Sequence, residues 1–182
     1  GSPEAIEVLK DLVRTSKNEK IRMQAVESLG KIKPGSPEAI KELANLICTS
    51  KDEWILWQAT RNLGQIDKGN SETIEVLEDL FYSTKNENIH GQVAKSIGNI
   101  GSDNPKAIKV LAKLARTAKD ETIREIAVEG LGKINSRNPE AIKVLVNLLH
   151  TNERERIRWQ AVKSLRTIDP ENSEVVAALT EL

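Results

Sequence analysis

A chain with one cysteine, Cys48, cannot build an internal disulfide framework, and the lone thiol fits a reducing, cytoplasmic compartment. Aromatic residues are almost as scarce: three Trp, one Tyr and one Phe make up 3% of the sequence. That excludes a sandwich core full of rings and suits thin helical layers. Histidine occurs only at His90 and His150, at unrelated places, and no Cys/His/Asp cluster has metal-ligand spacing. Neither a metal, a cofactor nor an enzymatic activity is expected. Charge of one sign is not in surplus, since Lys+Arg 27 balance Asp+Glu 27. A nucleic-acid binder carries a basic excess, so nucleic acid is disfavoured as a partner. No apolar run approaches the ~18 residues of a membrane helix, and no signal peptide opens the sequence. No membrane partner is expected.

What the chain does have is repetition. Steps of 34 residues from Ile6 reach Ile40, Ile74, Ile108, Ile142 and Val176. The same step links Leu9 to Leu43, Leu77, Leu111, Leu145 and Leu179, and Ile21 to Ile55, Ile89, Ile123 and Ile157. A fixed period of this size marks a repeat array in which each unit is one supersecondary element. The 182 residues hold five full units and the first half of a sixth. No internal linker or composition break divides them, so residues 1–182 read as one domain.

Each unit predicts two helices. The first opens on a polar cap, often followed by proline (Ser2-Pro3, Ser36-Pro37, Asn104-Pro105, Asn138-Pro139). The cap oxygen accepts from an orphan N–H, and proline loses nothing at the first helical position. Units three and six carry Ser71 and Ser173 in place of proline. Ile6, Leu9, Leu12 and Val13 lie on one face, and the helix stops near Thr15, Thr49, Ser83, Thr117 and Thr151. Asn18, Asp52, Asn86 and Asp120 then cap the second helix, with Glu19, Glu53, Glu87 and Glu121 at its positive end. Unit five has Arg154 at the cap, which shifts the expected start to Asn152. The second helix buries the columns of Ile21, Ala25, Leu29 and Ile32. Short connections make the two helices antiparallel neighbours. The expected fold is all-α, a right-handed α-solenoid of antiparallel helix pairs.

The period is that of tetratricopeptide repeats, but the first helix has leucine every third residue and no glycine. Glycine comes late in the second helix, at Gly30, Gly64, Gly98 and Gly132. With the L-x-x-L of Leu9 and Leu12, the Asn/Asp turn, the Ile-Arg pairs at Ile21-Arg22, Ile123-Arg124 and Ile157-Arg158, and A-V-x-S-L-G-K-I from Ala25 to Ile32, the chain resembles HEAT-like repeat proteins of the short phycobilisome-lyase type. The resemblance covers the whole chain. Leu56 and His90 depart from it at the arginine position, and Arg166 at the glycine position. It implies a protein-interaction scaffold or sensor module, as in arrays appended to bacterial NACHT-type signalling ATPases, or a bilin-lyase-type subunit. It also implies a concave face lined by the second helices.

At roughly 100° per residue, the columns at positions 20, 23 and 27 of each unit point away from the buried stripe. They hold Lys20, Trp54, Asn88, Thr122 and Arg156, then Met23, Trp57, Gly91, Glu125 and Trp159, then Glu27, Arg61, Lys95, Glu129 and Lys163. These columns vary while the apolar ones hold, and they contain every tryptophan and the only methionine. Tryptophan and arginine dominate binding hot spots. The candidate partner-binding residues are therefore Met23, Trp54, Trp57, Arg61, Gly91, Lys95, Glu125, Arg156, Trp159 and Lys163. Trp57 and Trp159 lie three units apart, roughly 25–30 Å at ~8–10 Å per helix contact, which suits a protein surface or an extended peptide. Gly91 leaves a gap between them. A second reading stands beside this one. The tryptophans pack along the groove as framework, since Trp57 and Trp159 are each followed by Gln-Ala. The binding reading expects Trp57→Ala and Trp159→Ala to leave the melt almost unchanged.

Other columns read as structural. Arg22, Arg124 and Arg158 are expected to form a ladder with the turn residues. Gln24, Gln58, Gln92 and Gln160 should bond across helices, and Glu72, Glu75 and Asp79 should pair with Lys106, Lys109 and Lys113. Glu125 and Glu129 form an i, i+4 carboxylate pair beside the groove. A Trp-lined face with a carboxylate also resembles HEAT-like DNA glycosylases, which keeps a nucleic-acid-binding solenoid as the alternative. The first unit has no polar capping helix before it, and the chain ends at Leu182, the mid-helix equivalent of Leu12. Solenoids normally carry polar caps, so a piece of a longer protein is expected, with end-to-end self-association as a further expectation.

Overall fold

The computed structural model describes residues 2–32, 35–67, 69–101, 104–134, 137–151 and 154–181. Among these residues eleven α-helices and no strands occur. The first helices of the units are α1 (Pro3–Thr15), α3 (Pro37–Thr49), α5 (Ser71–Ser83), α7 (Pro105–Thr117), α9 (Pro139–Thr151) and α11 (Ser173–Thr180). The second helices are α2 (Glu19–Gly30), α4 (Glu53–Ile66), α6 (Glu87–Ile100), α8 (Glu121–Lys133) and α10 (Glu155–Ile168).

Local chemistry sets these boundaries. Ser2, Ser36, Asn70, Asn104 and Asn172 cap first helices through their side-chain oxygens, and Asn18, Asp52, Asn86 and Asp120 cap second helices. At the other end Thr15, Thr49, Thr117 and Thr151 return their hydroxyls to the carbonyl four residues back. Arg154 offers α10 no side-chain cap, yet the helix still starts at Glu155. The expected shift to Asn152 falls outside the described residues, and packing of Ile157 in the core holds the common register without a cap.

The core runs unbroken from Ile6 to Ala178. Three expected core positions are wet. Leu12 is 37% exposed, Ile21 42% and Val176 47%, although their counterparts Leu46, Leu80, Leu114 and Leu148, then Ile55, Ile89, Ile123 and Ile157, then Ile74, Ile108 and Ile142, are buried. The reason is one-sided packing. α1 and α11 each meet a single other first helix, α3 and α9, and α2 meets a single other second helix, α4. In α11 Val175 and Ala178 are buried instead.

The second helices pack on one another much more extensively than the first helices do. A stack tight on one layer and loose on the other bends with the tight layer inside, which places the second helices on the concave side. The tight contact comes from glycine meeting a small or polar residue of the next second helix. A Cβ built on Gly64 would lie 2.5 Å from the Ser96 hydroxyl, on Gly98 2.8 Å from the Gly130 Cα, and on Gly132 2.6 Å from the Ser164 Cβ. Across the same seam the Asn62 amide donates to the Val26 carbonyl at 2.6 Å. The Ser96 and Ser164 hydroxyls donate to the carbonyls of Thr60 and Val128 at 2.8 and 3.1 Å. Among the described residues the glutamines expected to bridge helices do not. Gln58 and Gln92 donate within their own helices to Asn62 and Ser96.

A second latch lies in the connectors. Gly35 (φ 80°) and Gly69 (φ 75°) are in the left-handed region, and their N–H groups donate to the carbonyls of Ile66 and Ile100 at 2.8 Å. Arg137 takes the same role in a later connector at φ 75°, donating to Ile168 at 3.2 Å. The arginine ladder is shorter than expected. Arg22 pairs with Asp52 at 3.2 Å, but Arg124 donates to the Ala118 carbonyl within its own unit, and Arg158 makes no such contact among the described residues. On the outer face Lys106 pairs with Glu75, and Lys113 with Glu78 rather than Asp79. Being exposed, these pairs contribute ~0–1 kcal/mol each.

One position breaks the apolar pattern. Glu42 of α3 is 7% exposed and its Oε1 has no hydrogen-bond partner among the described residues, where the other full units carry Val8, Val76, Val110 and Val144 and the sixth carries Ala178. Burial pushes its pKa above the ordinary 4.5, against the pull of Lys10, Asn45 and Arg14. Folding therefore disfavours the ionised form relative to the unfolded chain, and ionisation at neutral pH works against folding. Glu42→Val should raise stability by about 1 kcal/mol or more at pH 7, a few degrees of melting temperature. The advantage should shrink as the pH falls toward 4.5 and the carboxyl protonates. Thermal melts of both proteins across pH check this.

Candidate functional site

The inner face of α2, α4, α6, α8 and α10 carries the candidate residues. At one end α4 presents Trp54 and Trp57, both half-buried against the core, with the Arg61 guanidinium 5.6 Å from the Trp57 ring centre. Met23 of α2 is half-buried beyond them. At the other end α10 presents Trp159, 65% exposed, with the Lys163 ammonium 5.7 Å from its ring. Both are cation–π distances. The same i, i+4 spacing of a ring and a cation produces the same pair in units two and five.

The structure brings Glu125, Arg156, Trp159 and Lys163 into one group. Arg156 grips Glu125 with two N–H groups, at 2.6 and 3.0 Å, and a hollow of about 310 Å3 opens beside them, lined by Glu125, Glu155, Arg156, Trp159 and Gln160. Gly91 and Lys95 lie midway, in a second hollow of about 330 Å3 between α6 and α8. Nothing crowds Gly91: a Cβ there would meet only Ile126 at 3.5 Å. The two tryptophan groups do not touch. They are separate stations on one face, with the glycine hollow between them. The carboxylate pair of Glu125 and Glu129 is divided, since Glu129 pairs with Lys133 at 2.7 Å. Each acid is therefore committed to its own cation.

Sequence reasoning missed a third cluster, on the turn edge between units three and four. Phe81 packs edge-on against Tyr82 (5.4 Å) and tilted against His90 (4.2 Å), and Lys113 lies 4.5 Å over the Tyr82 ring. The neighbouring Tyr82 side chain, and to a lesser degree Glu78, raise the Lys113 pKa. His90 bonds the Thr84 carbonyl through Nε2 at 2.9 Å, the same anchor that Arg124 finds on Ala118. A cleft of about 550 Å3 runs past Phe81, Tyr82 and His90. The available signal was that the only Phe and the only Tyr are adjacent, in the unit that also carries histidine at the arginine position. Among the described residues no three His, Cys, Asp or Glu side chains come together as a metal site requires, and no helix is long and apolar enough to cross a membrane.

Comparison with known proteins agrees with this architecture. A chain of the complex of CpcE and CpcF of phycocyanin lyase from Nostoc sp. PCC7120 superposes with a TM-score of 0.65 at 18% identity, covering 90% of this chain and 99% of that one. At that identity the likeness is one of fold. A de novo designed 16-helix transmembrane nanopore aligns over 98% of this chain and 51% of that one, at 18% identity, but its TM-score of 0.21 carries no argument. No curated protein matches the sequence. A family model for HEAT repeats matches residues 1–64, 41–132 and 116–182, in overlapping stretches that take in every unit. The chain belongs to the HEAT-repeat family.

Proposed function

We propose that the chain is a non-catalytic, cytoplasmic protein-interaction module whose partner is a polypeptide segment lying along the inner face of α2, α4, α6, α8 and α10. The observation that carries this reading is Trp159, 65% exposed beside an open hollow and repeated in kind by Trp57 three units away. A large exposed ring has no stabilising role that would keep it out of water, and it is the side chain most often found at a binding hot spot. Commitment of Glu125 to Arg156 and of Glu129 to Lys133 interrupts any continuous stripe of cations in unit four. Phosphate tracking needs such a stripe, so nucleic acid is the weaker reading. The structural likeness to a chain that works inside a complex of two proteins points the same way.

Panning a displayed peptide library against the intact chain tests the proposal. Selected peptides should lose binding to Trp159→Ala and keep it to Lys109→Glu on the outer face. Binders with the opposite pattern would move the function to the outer helices. Steeply salt-dependent binding of oligonucleotides, with no peptide binding, would replace the reading by the nucleic-acid one.

A further inference from the structure

The inner face has two chemically different edges. Every second helix enters it with a glutamate: Glu19, Glu53, Glu87, Glu121 and Glu155 are the first residues of α2, α4, α6, α8 and α10. Glu53 accepts from the Asn86 amide at 2.8 Å and Glu121 lies 3.4 Å from Arg154, while Glu87 and Glu155 line the two inner hollows. Two to three turns further along the helices the opposite edge carries Arg61, Lys95 and Lys163, with Glu27 and Glu129 in the same column of units one and four; Glu129 is held by Lys133 at 2.7 Å. All three are exposed, and among the described residues no carboxylate lies within ion-pair distance of any of them. Arg61 and Lys163 lean over Trp57 and Trp159 instead, and Lys95 borders the hollow beside Gly91. The row of rings lies between an acidic edge and an edge on which three cations, in units two, three and five, lack counter-charges.

We infer, on the reading that this face holds a polypeptide, that the partner segment is acidic: its carboxylates meet Arg61, Lys95 and Lys163, and apolar or aromatic residues dock on Trp57 and Trp159. Charge complementarity decides between occupants. A basic segment would leave three cations facing like charge, a juxtaposition that interfaces avoid. An uncharged one would desolvate them without return. The acidic edge sets the orientation, because Glu87 and Glu155 repel the carboxylates toward the far side of the groove. Adjacent units advance ~10 Å, and an extended chain rises ~3.3 Å per residue. Carboxylates roughly three residues apart therefore reach Arg61 and Lys95, with another roughly six residues on for Lys163.

The test uses the intact chain and a random library of displayed peptides of about twelve residues, long enough to span the two tryptophan stations at that rise. Selected peptides are remade synthetically and measured by fluorescence anisotropy at two salt concentrations. They should be enriched in Asp and Glu relative to the starting library and bind more weakly at high salt. Lys95→Glu and Lys163→Glu should each cost them about ten-fold or more in affinity, while Lys109→Glu on the outer face changes nothing. Thermal melts of the variants should match the parent, since all three lysines are exposed. Selected peptides that are neutral or basic, yet still lose binding to Trp159→Ala, would overturn the acidic assignment and leave the groove reading intact. Peptides indifferent to both Trp159→Ala and Lys95→Glu would overturn the groove reading and this inference with it. A selection that returns no binder counts against both.

Discussion

Gly98→Ala should lower the melting temperature by roughly 5–10 °C, a net loss of ~2–3 kcal/mol at ~2–4 °C per kcal/mol for a chain of this size. At an ordinary exposed helix position the same change stabilises by ~1 kcal/mol. The sign reverses because the new methyl would stand 2.8 Å from the Gly130 Cα, with the Gly130 carbonyl carbon and oxygen close behind. Backbone cannot rotate out of the way as a side chain can, so α6 and α8 must separate. In a solenoid stability is a sum of unit and nearest-neighbour terms. Weakening the α6–α8 interface therefore uncouples units one to three from units four and five. The melt should broaden or split as well as shift, and amide hydrogen exchange should rise first on either side of that seam. A graded series provides the control. Gly30→Ala faces only the Asn62 amide group, a side chain that can rotate away where backbone cannot, though at the loss of its bond to the Val26 carbonyl, and should cost an intermediate amount. Gly91→Ala meets Ile126 at an ordinary 3.5 Å and should stabilise by ~1 kcal/mol. If Gly98→Ala stabilises as Gly91→Ala does, the close seam is not the source of the curvature.

This series also marks where the sequence stops being legible. The recurrence of Gly30, Gly64, Gly98 and Gly132 is plain in the sequence and helps to identify the family. Its purpose is not, because each glycine answers a residue on the following second helix, and that pairing is decided by how the helices cross. The caps at Ser2, Asn18, Asp52 and Asn86 were readable to the residue because a cap acts over two or three positions on its own chain segment. The ion pairs show the boundary between the two cases. Opposite charge on α5 and α7 was visible, yet Lys113 chose Glu78 over Asp79, a choice one helical step wide that no periodic argument resolves. Arg22 found Asp52 across the units, whereas Arg124, in the same column, turned back to Ala118. Equal sequence position guarantees an equal starting point for a side chain, and the local neighbours decide where it ends.

Trp57 and Trp159 share a column, so the sequence treats them alike, but their substitutions should diverge. Trp57 packs half-buried on the core, on a helix flanked by α2 and α6, whereas Trp159 is on α10, which has a second helix, α8, on one side. Trp57→Ala should lower stability by ~1–3 kcal/mol, the usual scale for removing a partly buried large apolar side chain. Trp159→Ala should stay within ~0.5 kcal/mol of the parent, as exposed substitutions do. Emission reports the same difference independently. Removing Trp159 leaves two half-buried rings and shifts the fluorescence maximum to the blue, and removing Trp57 leaves the wet ring in greater proportion and shifts it to the red. Binding should follow neither stability nor emission: both variants should lose affinity for groove-directed peptides by ten-fold or more, the loss that defines a contributing interface residue. The Trp159 variant is the decisive one, because it removes a ring that the fold does not use. Lost binding with an unchanged melt assigns that ring to recognition. Unchanged binding with an unchanged melt would strip the inner face of its anchor and direct attention to the Phe81–Tyr82–His90 cleft, where the remaining aromatic surface of the chain is gathered.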